Sequence, residues 1–335
     1  MLKLDYIGSK KSLLDRLDKV FEKLNITENT TFGDLFAGTG SVAYFVSKKY
    51  NANIISNDLL YFSYIFNKAK LSKYTKKDVA LINSKIDEYN KLKPIKSFVT
   101  ESFSPPSRMY FTTNNAMKID AIRTKLNVDL GKKQLTNKQY IYLLASLLSA
   151  TNKISNVSVV YAAYLKEFKS SAMEPLKLEE LNHGDTVRKT ATVYNKDIKS
   201  IYSNYHNFDI VYLDPPYNNR QYGDNYHVLE TIAKYNNFNL HGITGLPNNI
   251  QKSKFASKTD VELEFKNLID SIKTKFLILS YNSEGLLSKN FILNELTKKG
   301  VTNLITFRYK KFKAQQNVDI QYIREYIFVC NMYNT

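Results

Sequence analysis

Residues 31–40, with the sequence TFGDLFAGTG, decide the fold class of this chain. A short apolar run leads into Gly38 and Gly40, after which apolar residues recur at the spacing of a helix. Residues 53–57, NIISN, predict a second strand that ends at Asp58. A strand, a glycine turn, a helix and a second strand make one βαβ unit. The sequence therefore predicts an α/β protein built on a parallel sheet.

The rest of the chain divides into a helical stretch and a return of the strand rhythm. Residues 68–188 show helical periodicity with proline breaks, and residues 140–150, YIYLLASLLSA, predict a buried helix. Five further strands are predicted at residues 192–197, 209–213, 275–281, 304–309 and 325–331. We expect a seven-stranded, mostly parallel, Rossmann-like core with a mainly helical insertion after the second strand. The predicted domains are residues 1–67 and 190–335 for the core and 68–189 for the insertion.

The chain carries a strong excess of positive charge. It has 48 Lys and Arg residues against 31 Asp and Glu, a net charge of +17. Residues 68–190 hold 22 basic and 11 acidic residues, so most of the excess lies in the predicted insertion. A nucleic acid is the polyanionic partner that such a surface fits. A chain that is rich in lysine throughout would show the same net charge, so this alternative to nucleic-acid binding stays open.

Cysteine usage and hydropathy bear on where the protein works. The lone cysteine, Cys330, lies in an apolar run and is predicted to be a packed core thiol. A chain of this length needs no disulfide or metal ion to stabilise its core. No apolar stretch reaches the length of a membrane span, and the N-terminus lacks the apolar core of a signal peptide. We expect a cytoplasmic monomer with no metal and no membrane association.

The glycine turn and the acidic strand end predict a cofactor site. Gly38 and Gly40 let the backbone approach a ligand closely, and Asp58 is placed to accept hydrogen bonds from ribose hydroxyls. The third glycine of the dinucleotide fingerprint is missing, so a nucleoside without phosphates fits better. A purely structural turn is the alternative. In residues 6–10, YIGSK, Tyr6 and Lys10 could bind an amino-acid ligand, but an ordinary helix start explains them as well.

Residues 209–217, DIVYLDPPY, carry the strongest chemical signal. An apolar strand runs directly into Asp214, Pro215, Pro216 and Tyr217. The prolines make the segment rigid and have no N–H, so its carbonyl oxygens and the Asp214 carboxylate can accept both hydrogens of an aromatic amine. This localises the lone pair of the amine for attack on a methyl donor, while Tyr217 offers a face on which a flipped base can stack. No cysteine stands beside the motif, so the target is an amine and not a ring carbon.

Taken together, these segments resemble the Dam-type (class alpha) DNA adenine methyltransferases, a group with restriction-modification members. The segments that carry the resemblance are YIGSK at 6–10, DLFAGTGS at 34–41, Asp58, DPPYNNRQYGDNYHVLE at 214–230 and SYNSEG at 280–285. The resemblance implies a Rossmann-like methyltransferase core, S-adenosylmethionine as cofactor and double-stranded DNA as the substrate, whose target adenine is flipped out. It also implies that the insertion is the target-recognition domain. A cognate restriction endonuclease would act as a separate protein, encoded with it by a bacterium or a phage.

The resemblance also implies roles for individual residues. The cofactor contacts fall on Tyr6, Lys10, Phe36, Asp58 and Asp197, beside the turn formed by Asp34, Gly38 and Gly40, with Asp214 close to both the cofactor and the target amine. Arg220 and Tyr222 would belong to the catalytic loop. His227 could be a general base, although an amine that loses its proton after methyl transfer does not need one.

Two basic strips are candidates for DNA contact. Residues 104–123 include Arg108, Lys118 and Arg123, which suit phosphate and base-edge contacts. Lys252 and Lys254 lie in a polar stretch after Pro247. Solvated surface loops would explain both strips equally well. The main alternative to DNA methylation is a methyltransferase that acts on an exocyclic amine of an RNA base, since some ribosomal enzymes share the core and the motif.

Overall fold

The computed structural model describes residues 2, 4, 10–204, 207–236, 238–310 and 322–333. Its main feature is a seven-stranded sheet. The strands are β1 (Thr31–Asp34), β2 (Asn53–Asn57), β3 (Thr192–Tyr194), β4 (Phe208–Leu213), β5 (Leu240–His241), β6 (Leu246–Pro247), β7 (Thr274–Asn282), β8 (Gly300–Lys310) and β9 (Tyr322–Met332). Of these, β5 and β6 form a separate two-stranded ribbon. The sheet order is β3-β2-β1-β4-β7-β9-β8, and its first five strands run parallel. β9 pairs antiparallel with both β7 and β8.

The helices complete the element list in the described part of the chain. They are α1 (Leu14–Lys23), α2 (Ser41–Tyr50), α3 (Tyr61–Lys70), α4 (Lys76–Asn90), α5 (Phe98–Phe103), α6 (Thr113–Gly131), α7 (Asn137–Lys153), α8 (Ser170–Met173), α9 (Ile198–Tyr202), α10 (Tyr222–Asn225), α11 (His227–Lys234), α12 (Val261–Ser271) and α13 (Lys289–Thr297). Short 3-10 turns lie at Lys10–Leu13, His183–Asp185 and Lys254–Ala256. The predicted α/β class and all seven predicted sheet strands are confirmed. No helix among the described residues is long and apolar enough to cross a membrane.

The described residues form two compact units. The sheet unit comprises Lys10–Leu59, Ala191–Tyr222 and Lys252–Thr335, and the helical unit includes Leu60–Thr190 and Gly223–Gln251. Residues 223–251, which follow the Asp-Pro-Pro-Tyr motif and fall within the predicted core segment 190–335, pack with the helices. They do so because α11 contacts both α3 and α7.

Helix α7 is the centre of the helical unit. It contacts α3, α4, α6 and α11, and every residue from Gln139 to Thr151 is buried. The buried helix predicted at 140–150 is therefore confirmed. Its first turn is fixed by a capping box: Thr136 Oγ1 accepts the Gln139 N–H at 3.4 Å, and Gln139 Oε1 accepts the Thr136 N–H at 2.9 Å.

Replacing Thr136 by alanine is expected to lower the free energy of unfolding by about 1 kcal/mol, because the first turn of α7 loses its side-chain acceptor. Thr136→Ser keeps that acceptor and is the matched control. Denaturant unfolding of both variants checks the expectation. Equal midpoints for the alanine and serine variants would show that the cap contributes nothing measurable.

The sheet has one apolar and one partly polar face. On the apolar face, Val211, Leu213, Leu279 and Phe328 pack in one buried cluster with residues of α9, α12 and α13. Cys330 belongs to this cluster and is fully buried, as predicted for a core thiol. The opposite face carries polar side chains near the carboxyl ends of the parallel strands. A ligand-binding site is therefore expected at these strand ends.

Candidate active site

The glycine turn and the Asp-Pro-Pro-Tyr motif meet at one edge of the sheet. β1 and β4 are neighbours at its centre, and residues 35–40 and 214–217 follow their carboxyl ends. From β1 the chain continues to β2 and β3 on one side, whereas β4 is followed across the sheet by β7 on the other. In open α/β sheets such a reversal of strand order creates the crevice in which ligands bind.

The turn after β1 has the backbone that its glycines predict. Gly38 and Gly40 have φ values of 51° and 75°, in the left-handed region, and Gly40 is the N-cap of α2. Asp58 Oδ2 accepts the Gly38 N–H at 2.8 Å. The acidic end of β2 therefore holds the turn in place, and both predicted elements of the cofactor site lie together.

Two more predicted cofactor residues lie at neighbouring strand ends. Phe36 is half-buried and packs edge-to-face against Phe255, with 5.0 Å between ring centroids. Asp197 follows β3, is exposed, and caps α9 by accepting the Lys199 N–H at 2.9 Å. Phe36, Asp58 and Asp197 thus follow the adjacent strands β1, β2 and β3. Tyr6 lies outside the described residues.

Asp34 is buried at the end of β1. Its Oδ2 accepts the Ala43 N–H at 3.1 Å, while its Oδ1 has no hydrogen-bond partner among the described residues. Burial raises the pKa of Asp34 to about 8; the Ala43 hydrogen bond opposes the rise, and the charges of Asp214 and Asp58 add to it. A bound cation would relieve this concentration of carboxylates.

Lys10 connects the start of the described chain to the motif. Its Nζ lies 3.0 Å from Asp214 Oδ1 and 5.8 Å from the centroid of the Tyr217 ring. Burial raises the pKa of Asp214, and Lys10 opposes that rise by its charge and hydrogen bond. Burial alone would lower the pKa of Lys10, but Asp214 and Glu325 outweigh it and raise the value to about 12. Lys10 therefore stays protonated and counters the charge of Asp214.

The backbone of the motif is pinned from the next strand. The carbonyl oxygen of Tyr217 accepts the Leu286 N–H at 2.8 Å. Leu286 directly follows the SYNSEG segment at 280–285, in which Gly285 leaves no room for a Cβ because one would lie 2.1 Å from the Tyr281 ring. Pro215 is buried and Tyr217 is half-buried beside Lys10. The four motif residues thus lie at the centre of the sheet edge, with the carbonyl group of Tyr217 hydrogen-bonded to the segment after β7.

Comparison with known families agrees with this geometry. A family model described as D12 class N6 adenine-specific DNA methyltransferase matches residues 6–294, which include both motif regions. The chain belongs to this family. The predicted enzyme class, adenine-specific DNA methyltransferase, is confirmed with it.

Curated relatives of this methyltransferase carry Type II names. The chain is 36% identical to Type II methyltransferase M.CviAII of Paramecium bursaria Chlorella virus 1, over 98% of each chain. It is 34% identical to Type II methyltransferase M.NlaIII of Neisseria lactamica, over 93% of each. It is 37% identical to Type II methyltransferase M.FokI of Planomicrobium okeanokoites over 96% of its own length, but it spans only 52% of that protein.

Four predicted DNA-contact residues of the methyltransferase lie in the sheet unit. Arg220, Lys252 and Lys254 are exposed, and Tyr222 lies next to Tyr217. Lys254 also pairs with Glu264 at 3.2 Å. The Gln221 side chain joins the two segments, since it donates to the Ser253 carbonyl at 3.0 Å and accepts the Ser253 N–H at 2.8 Å. The two basic segments, which are distant in sequence, therefore lie side by side next to the motif.

The three candidates in residues 104–123 have internal hydrogen bonds instead. Arg123 is buried and donates to the carbonyl oxygens of Ile232 and Ala233, each at 3.0 Å. This corrects the expectation for Arg123, because a buried guanidinium with two carbonyl partners cannot reach a phosphate. Lys118 and Arg108 are half-buried. Lys118 donates to the Asn90 and Leu92 carbonyls, and Arg108 to those of Ser102, Gly242 and Ile243.

His227 and Glu230 also act within the helical unit. The ring nitrogens of His227 lie 2.9 Å from the Asp224 carbonyl oxygen and 2.8 Å from that of Thr244, so the side chain bridges two backbone segments. Glu230 accepts the N–H groups of Tyr61 and Phe62 at 3.1 and 2.9 Å and thereby caps α3. Neither arrangement supports the general-base interpretation of His227, because both ring nitrogens already face carbonyl oxygens.

Proposed function

We propose that this chain transfers a methyl group from S-adenosylmethionine to the N6 amine of an adenine flipped out of double-stranded DNA. The observation that carries the proposal is the position of Asp214, a half-buried acceptor beside the glycine turn at the centre of the sheet edge. Family membership supports adenine as the target base.

The residues at the sheet edge fit S-adenosylmethionine. Gly38, Gly40 and Asp58 would hold the adenosyl part, with Phe36 and Asp197 around it. Asp34 Oδ1 is buried without a hydrogen-bond partner among the described residues, and Asp214 is paired with Lys10. A ligand that brings a positively charged N–H donor suits such a site. When bound, this cofactor supplies an electrophilic methyl group.

The motif residues would activate and hold the target amine. Asp214 and a proline carbonyl accept the two N–H groups of adenine N6, which directs its lone pair toward the methyl carbon. The amine nitrogen would gain the methyl group as the bond from that group to the cofactor's sulfur breaks, and the amine would then lose one proton to solvent. Tyr217 provides the stacking face for the extruded base. Lys10 favours the ionised form of Asp214 and so opposes the effect of burial on its pKa.

DNA would be held next to this site. Arg220, Tyr222, Lys252 and Lys254 form one basic and aromatic surface beside the motif, which suits phosphate contacts and stacking. We infer that residues 68–189, where the charge excess lies, recognise the target sequence. We further infer a monomeric cytoplasmic enzyme of bacterial or phage origin that protects DNA against a separate restriction endonuclease. The Type II names of the relatives support this last step.

A labelling experiment tests the proposal. The purified chain is incubated with methyl-tritiated S-adenosylmethionine and either duplex DNA or ribosomal RNA, and the product is digested to nucleosides. We expect label in N6-methyladenine from DNA, and sequencing of modified bases in host DNA would then give the recognition site. Label in RNA alone would favour an RNA methyltransferase, and label in methylcytosine would contradict the assignment of the target base.

A further inference from the structure

The polar face of the sheet holds buried polar atoms that the proposed reaction leaves unused. Tyr212 Oη, Ser280 Oγ and Glu325 Oε2 are fully buried and have no hydrogen-bond partner among the described residues. Each such atom costs about 1–3 kcal/mol of stability. A fold tolerates that cost most readily where the groups serve a function.

Strand register places these groups beside Asp214. Leu213 of β4 lies opposite Leu279 of β7, so Asp214 and Ser280 follow next to each other on the same face. Asn282, two residues beyond Ser280, lies opposite Glu325 of β9. Glu325 is therefore on the same face as Asp214, and its side chain is only 5% exposed.

Lys10 is the cation that acts on both carboxylates. Its Nζ is 3.0 Å from Asp214 Oδ1, and the charge of Glu325 stabilises the same ammonium. Burial raises the pKa of Glu325 to about 7; Lys10 opposes that rise and Asp214 adds to it. An ammonium has three N–H donors, and Glu325 Oε2 is a nearby acceptor that none of the described residues uses.

We propose that Glu325 is a positioning residue of the methyltransferase: it accepts a hydrogen bond from the Lys10 ammonium when the target amine donates to Asp214. The inference rests on the proposed function. An Asp214 carboxylate that is tightly paired with Lys10 is a weaker acceptor for the amine. With Glu325 as a second acceptor, the Lys10 ammonium can turn a hydrogen bond from Asp214 to Glu325 while its charge still favours the ionised form of Asp214, so that Asp214 can accept from the amine.

Several other groups face Glu325. The titratable side chains that interact with it are Lys10, Asp214, Tyr212 and Tyr217. On β7 its neighbour is Asn282, and on β8 it is Phe307, over whose ring Arg16 of α1 lies at 4.1 Å. The pKa of Glu325 is raised to about 7, so its side chain is ionised above about pH 7.

Glu325→Gln tests the inference through its pH profile. In wild type, single-turnover methyl transfer is expected to rise with pH through about 7 as Glu325 ionises. In the glutamine variant we expect the rate no longer to rise with pH through about 7. The rate above pH 8 should fall about tenfold, which corresponds to a change of one unit in the pKa of the acceptor Asp214. Binding of S-adenosylmethionine and DNA should change little. Glu325→Asp, which keeps the charge, should retain part of the pH dependence.

Thermal stability separates this role from a structural one. Since the pKa of Glu325 is raised in the fold, its ionisation destabilises the wild type as pH rises above the unfolded value. The glutamine variant should therefore melt at or above the wild-type temperature at pH 8, and the difference should shrink as pH falls and vanish below about pH 4.5. Glu262→Gln, an exposed site in the same unit, is the matched control.

The outcomes separate the inference from the proposed function. An active wild type with unchanged rate and pH profile in Glu325→Gln would overturn the inference alone. A lower melting temperature at pH 8 with an unshifted pH profile would also overturn it, since Glu325 would then be structural. A wild type that transfers no methyl group to DNA would contradict the proposed function itself.

Discussion

Replacing Asp214 by asparagine is expected to slow methyl transfer to DNA by about 10³-fold, as found when one preorganised polar group is removed from an active site. The asparagine keeps one acceptor oxygen, to which the Lys10 ammonium, 3.0 Å from Asp214 Oδ1 in the wild type, would donate, so that an NH2 donor is left to face the target amine. The amine then loses the charged acceptor that localises its lone pair. Single-turnover transfer from labelled S-adenosylmethionine measures the effect.

Cofactor binding distinguishes lost chemistry from a lost site. The glycine turn is held by Asp58 and not by Asp214, so Asp214→Asn should still bind S-adenosylmethionine within about tenfold of wild type, a difference of 1.4 kcal/mol. Asp209→Asn is the matched control. Asp209 lies near the other end of β4, where it accepts the Thr31 N–H at 2.8 Å. Equal rates for the two variants would contradict the assignment of Asp214.

Replacing Arg123 by alanine is expected to lower the free energy of unfolding by about 3 kcal/mol, because buried carbonyl groups lose their donors. Arg123 donates to Ile232 and Ala233 in the last turn of α11, and its guanidinium lies 5.1 Å from the centroid of the Tyr235 ring. The substitution removes both hydrogen bonds and leaves a cavity between α6 and α11. Denaturant unfolding followed by circular dichroism measures the change.

The salt dependence of DNA binding shows whether Arg123 also contacts phosphate. Arg123→Ala should leave the slope of log affinity against log salt unchanged, whereas Arg220→Ala should reduce that slope by about one phosphate contact. Arg220 is exposed, so its alanine variant should keep wild-type stability within about 0.5 kcal/mol. A reduced slope and full stability in Arg123→Ala would restore Arg123 as a DNA contact.

The sheet could be predicted from the sequence because its strands are apolar runs bounded by turn residues. β4 and β7 are buried over most of their length and appear as continuous hydrophobic segments. Their ends carry Asp214 and the SYNSEG segment, so the position of the Asp-Pro-Pro-Tyr motif follows from the same pattern. The turn at Gly38 and Gly40 could be predicted equally well, since positive φ values favour glycine.

Side-chain partners could not be predicted in the same way. An arginine in a predicted helix is expected to lie on the surface unless its hydrogen-bond partners are known. The carbonyl groups that accept from Arg123 lie more than 100 residues away in sequence. Glu325 gave no separate signal because it begins an apolar run that predicts only a buried strand. Its importance depends on strand order, which places β9 beside β7.

The ribbon formed by β5 and β6 is held at its turn by side chains from outside it. Arg108 binds the carbonyl oxygens of Gly242 and Ile243, and His227 lies 2.8 Å from that of Thr244. Three successive peptide groups are thus ordered when the protein folds, at a conformational-entropy cost of about 1–2 kcal/mol per residue. The side chain of Ile243, which is 81% exposed, is presented on this fixed turn. Any molecule that meets Ile243 therefore encounters a preorganised backbone, and little ordering entropy remains to be lost on association.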